Sequence, residues 1–353
     1  MNRSTVILGA FAVSLVVASC SSDKTSAPAT PADAIAFSFA VVGCNRVDKA
    51  DTVSGTSTAN VEQLKKTFAD IAALNPKPKF LFFAGDEVFG FTRDTVSLAT
   101  QLQGWRAIYE ASPLYNSGVE LVALPGNHEV QDASKIAYAA GERTWLRVMA
   151  PYVTRGGNGP KAASLDALQT DQSKLTYSFD YQDTHFLTLD TDPVGADWHV
   201  PVNWVQQDLT AAAARGVKHV FAIGHKPAFP YPTAPTDGLS LYPDSRDAFW
   251  SLLINAHAEA MFAAHNHVYY RTQPANGKTW MVVAGNGGSK LDAGLDSNIP
   301  TTGQYYGFTL VTVMTSGKVM TYSYGRDIPA ASYLASATAS VTTVRDSADI
   351  TWK

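Results

Sequence analysis

Five short apolar stretches of the chain each end in residues that can bind metals or transfer protons. The stretches are residues 37–43, 79–84, 121–125, 220–224 and 260–264, and they are followed by Cys44-Asn45-Arg46, Gly85-Asp86, Gly126-Asn127-His128-Glu129, His225 and His265-Asn266-His267. An apolar run that is too short for a helix and stops abruptly at polar residues is typical of a buried parallel strand. The carboxyl ends of such strands share one edge of an open α/β sheet, where ligands bind. We therefore predict that one Cys, one Asp, one Asn and three His side chains meet at a common site.

The segments between the first three strands have the pattern of helices. Residues 61–74 follow a capping Asn60 with apolar positions three and four apart, and residues 95–111 repeat that spacing. Alternating strands and helices form the right-handed crossovers of a parallel sheet, so the first three motif loops should be neighbours. Further helices are predicted at residues 134–149, 203–214 and 245–256.

The later part of the chain is richer in strands and loops. Residues 175–181 and 184–190 predict a hairpin, and residues 268–272, 279–284, 307–315 and 319–324 predict further strands. Residues 339–352 alternate weakly, as an edge strand or a loosely packed tail would. We expect the long loop 154–171 to roof part of the site and the Pro-rich segment 230–243 to shape its pocket.

Composition is that of an ordinary globular protein. The 353 residues are 46% hydrophobic and 16% charged, with a formal net charge of −4. A protein that neutralises many phosphates of a nucleic acid carries a basic run or patch, and none is present in the sequence. Because the candidate ligands extend from Cys44 to His267, we predict one domain over residues 35–353.

The first 34 residues have a different character. A positive start, a short apolar core and Val17-Ala18-Ser19-Cys20 predict a lipoprotein signal peptide at residues 1–20, cut so that Cys20 carries lipid. The alternative is an ordinary signal peptide cut near Ala18. Residues 21–34, rich in Ser, Thr, Ala and Pro, predict a flexible tether. The expected location is the bacterial cell envelope, facing the periplasm or exposed at the surface, with lipidated Cys20 as the membrane contact.

The cysteine count bears on the first motif. The chain has two cysteines, so a lipidated Cys20 would leave Cys44 without a disulfide partner. Cys44 could then be an inert buried side chain, form an intermolecular disulfide, or bind a metal. Its position at the end of the first strand favours a metal ligand.

The motifs resemble those of a known family. Gly85-Asp86, Gly126-Asn127-His128-Glu129, Gly224-His225 and His265-Asn266-His267 resemble, in order and spacing, the GD, GNH[DE], GH and GHxH blocks of calcineurin-like metallophosphoesterases. Residues 177–180, 185–191, 204–209 and 284–288 are similar to connecting elements of the purple acid phosphatase branch. The resemblance covers about residues 37–313. It implies an α/β fold, a four-layer α/β/β/α sandwich of two mixed sheets flanked by helices.

The resemblance also implies two metal ions and a set of roles. Asp86 would bridge both ions, Asn127, His225 and His265 would complete the second site, and His267 would bind the first ion. His128 would stabilise the transition state or protonate the leaving alkoxide, and Glu129 could orient it. A lone histidine is more often a buried, hydrogen-bonded core residue, and His185 and His199 are placed in that class.

The first block departs from the family pattern. The common Asp-x-His is replaced by Cys44-Asn45-Arg46, and Phe89 stands where some purple acid phosphatases have a tyrosine. One interpretation is a degenerate site with one metal. The other is suggested by PhoD-like phosphodiesterases, whose first block carries a Cys that ligates iron. Thiolate favours a transition metal, here Fe, Zn or Mn, and Arg46 with Asn45 would bind substrate phosphate. Asp48 and Asp51 are interpreted as solvated loop residues, although either could supply a missing carboxylate.

The sequence thus predicts a secreted, lipid-anchored metallophosphoesterase that hydrolyses phosphate mono- or diesters through a metal-bound hydroxide. The alternative is a non-catalytic lipoprotein that uses a decayed site to bind phosphorylated ligands. The presence of His128 and of the three other motif histidines argues for the enzyme.

Overall fold

The computed structural model describes residues 33–48, 58–274, 277–292, 302–327 and 332–353. The predicted signal peptide, residues 21–32 of the predicted tether, and Asp51 lie outside these residues. Among the described helices, none is both long enough and apolar enough to cross a membrane.

The helices and strands of the described residues are, in chain order, β1 (Ile35–Val42), α1 (Val61–Ala72), β2 (Phe80–Ala84), α2 (Thr95–Glu110), β3 (Glu120–Leu124), α3 (Asn127–Val130), α4 (Ala139–Met149), β4 (Tyr177–Tyr181), β5 (Thr184–Leu189), α5 (Val202–Arg215), β6 (His219–Gly224), α6 (Pro243–Asn255), β7 (Ala260–Ala263), β8 (Tyr269–Thr272), β9 (Trp280–Ala284), β10 (Thr302–Gly303), β11 (Tyr306–Met314), β12 (Val319–Arg326) and β13 (Thr343–Asp349).

The strands form two mixed sheets. The order in the first is β13-β12-β11-β1-β2-β3, with β1, β2 and β3 parallel to one another. The order in the second is β10-β8-β9-β7-β6-β5-β4, in which β5, β6, β7 and β9 are parallel. The predicted neighbourhood of the first three motif loops and the predicted β4–β5 hairpin are both confirmed.

An aromatic core joins the two sheets. The ring of Phe39 on β1 lies 5.7 Å from Phe82 of the same sheet, and 5.2, 5.0 and 5.9 Å from Phe186, Phe221 and Phe262 of the other. All five rings are fully buried. Burying each contributes about 1.5–3 kcal/mol, so this layer holds the sheets face to face.

Helices cover the outer faces of both sheets. On the first, Trp105 of α2 packs against Phe83 of β2 at a ring distance of 4.9 Å. On the second, Leu209 of α5 and Leu253 of α6 belong to one buried cluster with Met261 of β7. The result is the helix, sheet, sheet, helix order that the family resemblance implied.

The interpretation of five motif strands at one sheet edge is wrong, because they belong to two sheets. Strands β1, β2 and β3 lie in the first sheet, and β6 and β7 lie in the second. The strand ends nevertheless meet. The Gly43 amide donates to the Ala284 carbonyl at 3.0 Å, across the two sheets. A Cβ on Gly43 would lie 2.5 Å from the Cβ of Ala264, so only glycine permits this approach.

One predicted helix also needs correction, and one short helix was not predicted. The helix expected from residue 134 begins only at Ala139, because the Asp132 carboxylate accepts the Ser134 amide at 2.8 Å and stabilises a turn. The four-residue helix α3 was not predicted. At the other end of the chain, β13 is an edge strand, which selects one of the two interpretations of residues 339–352.

Candidate metal centre

Three of the predicted ligands occupy a strained backbone conformation directly after a strand. Cys44, Asp86 and His265 have φ angles of 57°, 57° and 65°. The left-handed region costs an L-residue about 1–2 kcal/mol, and such strain concentrates at functional sites. Here it turns three strand ends sharply, so that their side chains face one another.

Asp86 lies at the centre of the site. It is buried, and its Oδ1 is 3.2 Å from His225 Nε2 and accepts the His128 amide at 3.3 Å. Cys44, Asp86 and His225 each offer one ligand atom, and these atoms lie within 4.8 Å of one another. Residues from both sheets therefore converge on one carboxylate.

Asn127 brings two imidazoles together on one side of Asp86. Its Oδ1 is 2.9 Å from His225 Nε2 and 3.0 Å from His265 Nδ1, and the two ring nitrogens are 3.2 Å apart. His225 Nδ1 lies 2.7 Å from the Ala84 carbonyl, so that nitrogen carries the proton and Nε2 carries a lone pair. His265 Nε2 is likewise 3.0 Å from an Asp237 carboxylate oxygen. The His225 Nε2 lone pair therefore faces the Asn127 oxygen and the ring of His265, an arrangement of oxygen and nitrogen atoms that could surround a cation.

Burial keeps His225 neutral. It is the main cause that lowers the pKa of His225 to about 4, against the opposing effect of the Asp86 charge. A neutral imidazole whose other nitrogen is held by a backbone carbonyl is oriented to bind a metal.

His267 and Cys44 are the two remaining predicted ligands. His267 Nδ1 is 2.8 Å from the Lys290 carbonyl, which leaves Nε2 as the acceptor nitrogen. The Cys44 thiol is fully buried and its sulfur accepts the His265 amide at 3.0 Å. Burial, followed by the Asp86 charge, raises the pKa of this thiol, so a thiolate here needs a bound cation. Its burial also argues against an intermolecular disulfide.

The residues present fit a metal centre with two positions. Asn127, His225 and His265 supply oxygen and nitrogen beside Asp86, and Cys44 with His267 supplies sulfur and nitrogen. Both sets are ones that transition metals accept.

His128 lies beside these groups with its ring fixed by the backbone. Its Nδ1 is 2.5 Å from the Phe89 carbonyl, and its Nε2 is 3.9 Å from Asp86 Oδ2. Burial lowers the pKa of His128 to about 3. Glu129 was expected to orient this ring, but its carboxylate instead accepts the amides of Gly126 and Asp86, at 2.8 and 3.0 Å. Glu129 therefore supports the loops, and Phe89 orients the imidazole.

The two predicted substrate residues are separated by the structure. Arg46 lines a pocket of about 420 Å³ over the site, with its Nε 3.6 Å from Asp86 Oδ2 and its Nη1 3.3 Å from Asp48. Asn45 is fully buried and does not line the pocket. Its amide donates to the carbonyls of Gly287 and Asn60, at 3.1 and 3.3 Å. Asn45 therefore stabilises the loop, and Arg46 forms ion pairs with both Asp48 and Asp86.

Several lining residues were not anticipated by sequence reasoning. They are Asp237, Asp292, Lys135 and Phe91. The second oxygen of Asp237 accepts the Asn266 side-chain amide at 2.9 Å, and Asp292 accepts the His267 backbone amide at 2.9 Å. The only sequence signal for any of them was the Pro-rich segment 230–243, which contains Asp237.

The predicted roof over the site is wrong. No residue of 154–171, all of which are described, is among those that line the pocket. This loop instead reaches the start of α5, where Asp166 accepts the amides of Asn203 and Trp204 at 2.8 and 3.0 Å. His185 also lies away from the pocket, buried between Asp180 and Asp208 as a core histidine. His199, half-buried against Tyr242, is outside the pocket as well.

Comparison with known proteins agrees with this geometry. The family model described as Calcineurin-like phosphoesterase matches residues 39–269. Purple acid phosphatase PPD1 from yellow lupin (Lupinus luteus) seeds superposes with a TM-score of 0.58 at 16% identity, over 88% of this chain and 53% of that one. GAP50, the anchor in the inner membrane complex of Plasmodium, gives a TM-score of 0.51 at 14% identity, over 90% and 89%. No curated protein sequence matches the chain.

The chain spans about half the length of the lupin phosphatase, and at these identities the solved structures show the fold alone. The family assignment rests on the match of the sequence to the family model. That match covers more than half of the chain and includes the strand-end motifs from Asp86 to His267. The chain therefore belongs to the calcineurin-like phosphoesterase family.

Proposed function

We propose that this protein hydrolyses phosphate esters with two transition-metal ions that share Asp86. Asn127, His225 and His265 would hold one ion. The observation that carries the proposal is the convergence of Asn127 Oδ1, His225 Nε2 and His265 Nδ1 at 2.9–3.2 Å from one another. A cation among these atoms would be coordinated by one amide oxygen and two imidazole nitrogens.

The other ion would be held by Cys44 and His267 together with Asp86. A buried thiol with a raised pKa ionises when a soft or borderline cation displaces its proton, which favours Fe or Zn over Ca or Mg. When bound, such ions lower the pKa of a water ligand and neutralise charge on phosphate oxygens.

The remaining pocket residues bind and orient the substrate. Arg46 is permanently charged, and with Lys135 it presents two cations to the phosphate oxygens at the pocket wall. His128 directs Nε2 into the pocket beside Asp86, where it can contact the leaving oxygen or the transferring phosphoryl group. The carbonyl of Phe89 keeps that nitrogen pointed inward.

We also propose that the protein is a lipoprotein of the bacterial cell envelope. The support is the sequence of residues 1–34, with Cys20 as the lipidated residue and the following segment as the tether. Membrane fractionation of the wild type and of Cys20→Ala tests this, because the variant should move to the soluble fraction. Retention of Cys20→Ala in the membrane would overturn the lipid anchor.

Metal content and turnover test the central proposal together. Elemental analysis of the purified mature protein should give about two transition-metal equivalents, and Cys44→Ser should reduce this towards one. The wild type should hydrolyse p-nitrophenyl phosphate, and its rate on bis(p-nitrophenyl) phosphate then decides between monoesters and diesters. One equivalent or none, unchanged in Cys44→Ser and without turnover, would overturn the dinuclear enzyme and support the phospholigand-binding alternative.

A further inference from the structure

One wall of the pocket is made of aromatic rings. Phe89 and Phe91 are half-buried and line the pocket next to His128. The ring centroid of Phe91 is 3.7 Å from that of His128, and the ring centroid of Phe89 is 5.7 Å away. Among the described residues, every other lining side chain is charged or polar. The apolar surface of the pocket is therefore confined to the side that carries His128.

Backbone contacts lock this wall to His128. The Phe91 amide donates to the His128 carbonyl at 2.8 Å, while His128 Nδ1 donates to the Phe89 carbonyl at 2.5 Å. Between them, Gly90 has a φ of 52°, and a Cβ there would lie 1.7 Å from the His128 carbonyl oxygen. A side chain at this position would force the two segments apart, so the wall is preorganised.

Hydrogen bonds to side chains also hold the backbone of Phe89 and Gly90. The Phe89 amide donates to Thr58 Oγ1 at 2.6 Å, and the Gly90 amide donates to Gln101 Oε1 at 3.0 Å. Two phenyl rings are therefore held at a fixed place beside polar groups, in contact with the space that the substrate enters. Burying a planar apolar ring of the substrate against these rings should strengthen its binding by about 10- to 100-fold.

The position of the rings relative to His128 decides what they would touch. In the proposed function His128 contacts the leaving oxygen or the transferring phosphoryl group. We take the first of these two roles here, with the phosphate towards Arg46 and Asp86. The group attached to the leaving oxygen must then lie against Phe89 and Phe91. A charged or heavily hydroxylated alcohol would lose water there without gaining a hydrogen-bond partner from the rings.

We propose that Phe89 and Phe91 select substrates whose alcohol carries a planar, apolar ring. The inference rests on the proposed phosphoesterase function and names its substrate class. In the reaction, the P–O bond to the ring-bearing alcohol breaks and a P–O bond to the oxygen of water forms. Of the two protons of that water, one ends on the alcohol and one stays with the phosphate.

Two esters with alkyl alcohols test the selection without a large difference in leaving-group chemistry. Benzyl phosphate should be hydrolysed with a kcat/KM about 10–100 times that of glycerol 1-phosphate, the ratio expected from burying one ring. Phe89→Leu and Phe91→Leu should each lower this ratio about tenfold, mainly through the KM for benzyl phosphate. The matched control is Phe179→Leu in β4, a half-buried ring that does not line the pocket and whose replacement should leave both rates unchanged.

Binding of non-hydrolysable analogues provides a second readout. Calorimetric titration of the metal-loaded wild type should show benzylphosphonate binding about tenfold more tightly than ethylphosphonate, and the Phe89→Leu variant should lose that difference. If neither ester is hydrolysed but benzylphosphonate is still preferred, the enzyme proposal fails and the aromatic subsite stands.

Two results would overturn the aromatic subsite. The first is an equal fall in kcat for both esters in Phe91→Leu with an unchanged ratio, because the ring would then only hold His128. The second is a wild type that prefers neither benzyl phosphate nor benzylphosphonate.

Discussion

The two sides of the candidate metal centre are built differently. On the Asn127 side, formed by Asn127, His225 and His265, three donor atoms lie 2.9–3.2 Å apart. The Ala84 carbonyl and the Asp237 carboxylate fix the two rings. On the Cys44 side, formed by Cys44 and His267, the Lys290 carbonyl fixes the imidazole, and the Cys44 sulfur accepts the backbone amide of His265.

Because of this difference, we expect one side to provide metal affinity and the other to provide metal selectivity. The Asn127 side consists of oxygen and nitrogen donors that the fold already holds together. The Cys44 side must lose the thiol proton, against a pKa raised by burial, before it can bind. We infer that the Asn127 side binds a wider range of metal ions. The Cys44 side should accept only metal ions that bind thiolate well.

The largest expected effect is that of Asp86→Asn, because Asp86 serves both sides. Asn tolerates the left-handed conformation at this position, so the fold should be retained. The loss of the negative charge should reduce metal content from about two equivalents to less than one and lower the rate on p-nitrophenyl phosphate by about 10³-fold or more. Elemental analysis and steady-state kinetics measure both. A variant that keeps two equivalents would contradict the shared role of Asp86.

His128→Ala should separate catalysis from metal binding. His128 follows Asn127 in sequence but directs Nε2 into the pocket, so its removal should leave two metal equivalents and lower kcat by about 10²–10⁴-fold. His185→Ala is not a suitable control, since that ring is buried between two carboxylates. His199→Ala is suitable because its half-buried ring lies outside the pocket, and it should keep both metals and full rate. A fully active His128→Ala protein with its metals in place would remove His128 from the mechanism.

The smallest effects on metal binding should come from replacing Asp237 and Asp292, the carboxylates that contact His265 and His267. Asp237→Asn weakens the partner of His265 Nε2, and such changes typically cost about 10–100-fold in metal affinity. Asp292→Asn should cost less, because the closer Asp292 oxygen accepts the His267 backbone amide and the other lies 3.8 Å from Nδ1. Titration of the metal-free proteins with Zn²⁺ ranks the two. A larger loss in Asp292→Asn would show that the Cys44 side is the more dependent on its partners.

Prediction from sequence succeeded where the signal was local. Helix α1 begins after Asn60, whose side chain accepts the Gln63 amide as an N-cap, and its apolar spacing marked the whole element. The apolar runs before Asp86 and His225 were recognisable as strands for the same reason, since a strand buried on both faces needs no partner to identify it. The family motifs then implied a two-sheet fold that the structure shows.

Prediction from the sequence failed where a polar side chain could point either into the pocket or into the protein interior. Asn45 and Arg46 are adjacent and polar, and both were predicted to contact phosphate. The left-handed turn at Cys44 and the neighbouring carbonyls of Gly287 and Asn60 direct Asn45 into the protein, while Arg46 remains at the pocket. Loop 154–171 was misplaced for a related reason, because its contacts with the start of α5 leave no periodic pattern.

Most of the strands, and the residue types at the ends of the motif strands, could be predicted from the sequence, because burial and chain reversal leave local patterns of apolar and polar residues. Which of those residues meet depends on the packing of the two sheets. Asn127 and His225 are 98 positions apart and follow strands of different sheets, yet Asn127 Oδ1 and His225 Nε2 are 2.9 Å from each other. The tertiary structure likewise paired Asp237 with His265 and placed Phe91 on His128, because such contacts depend on how two sheets pack and not on any spacing within one segment.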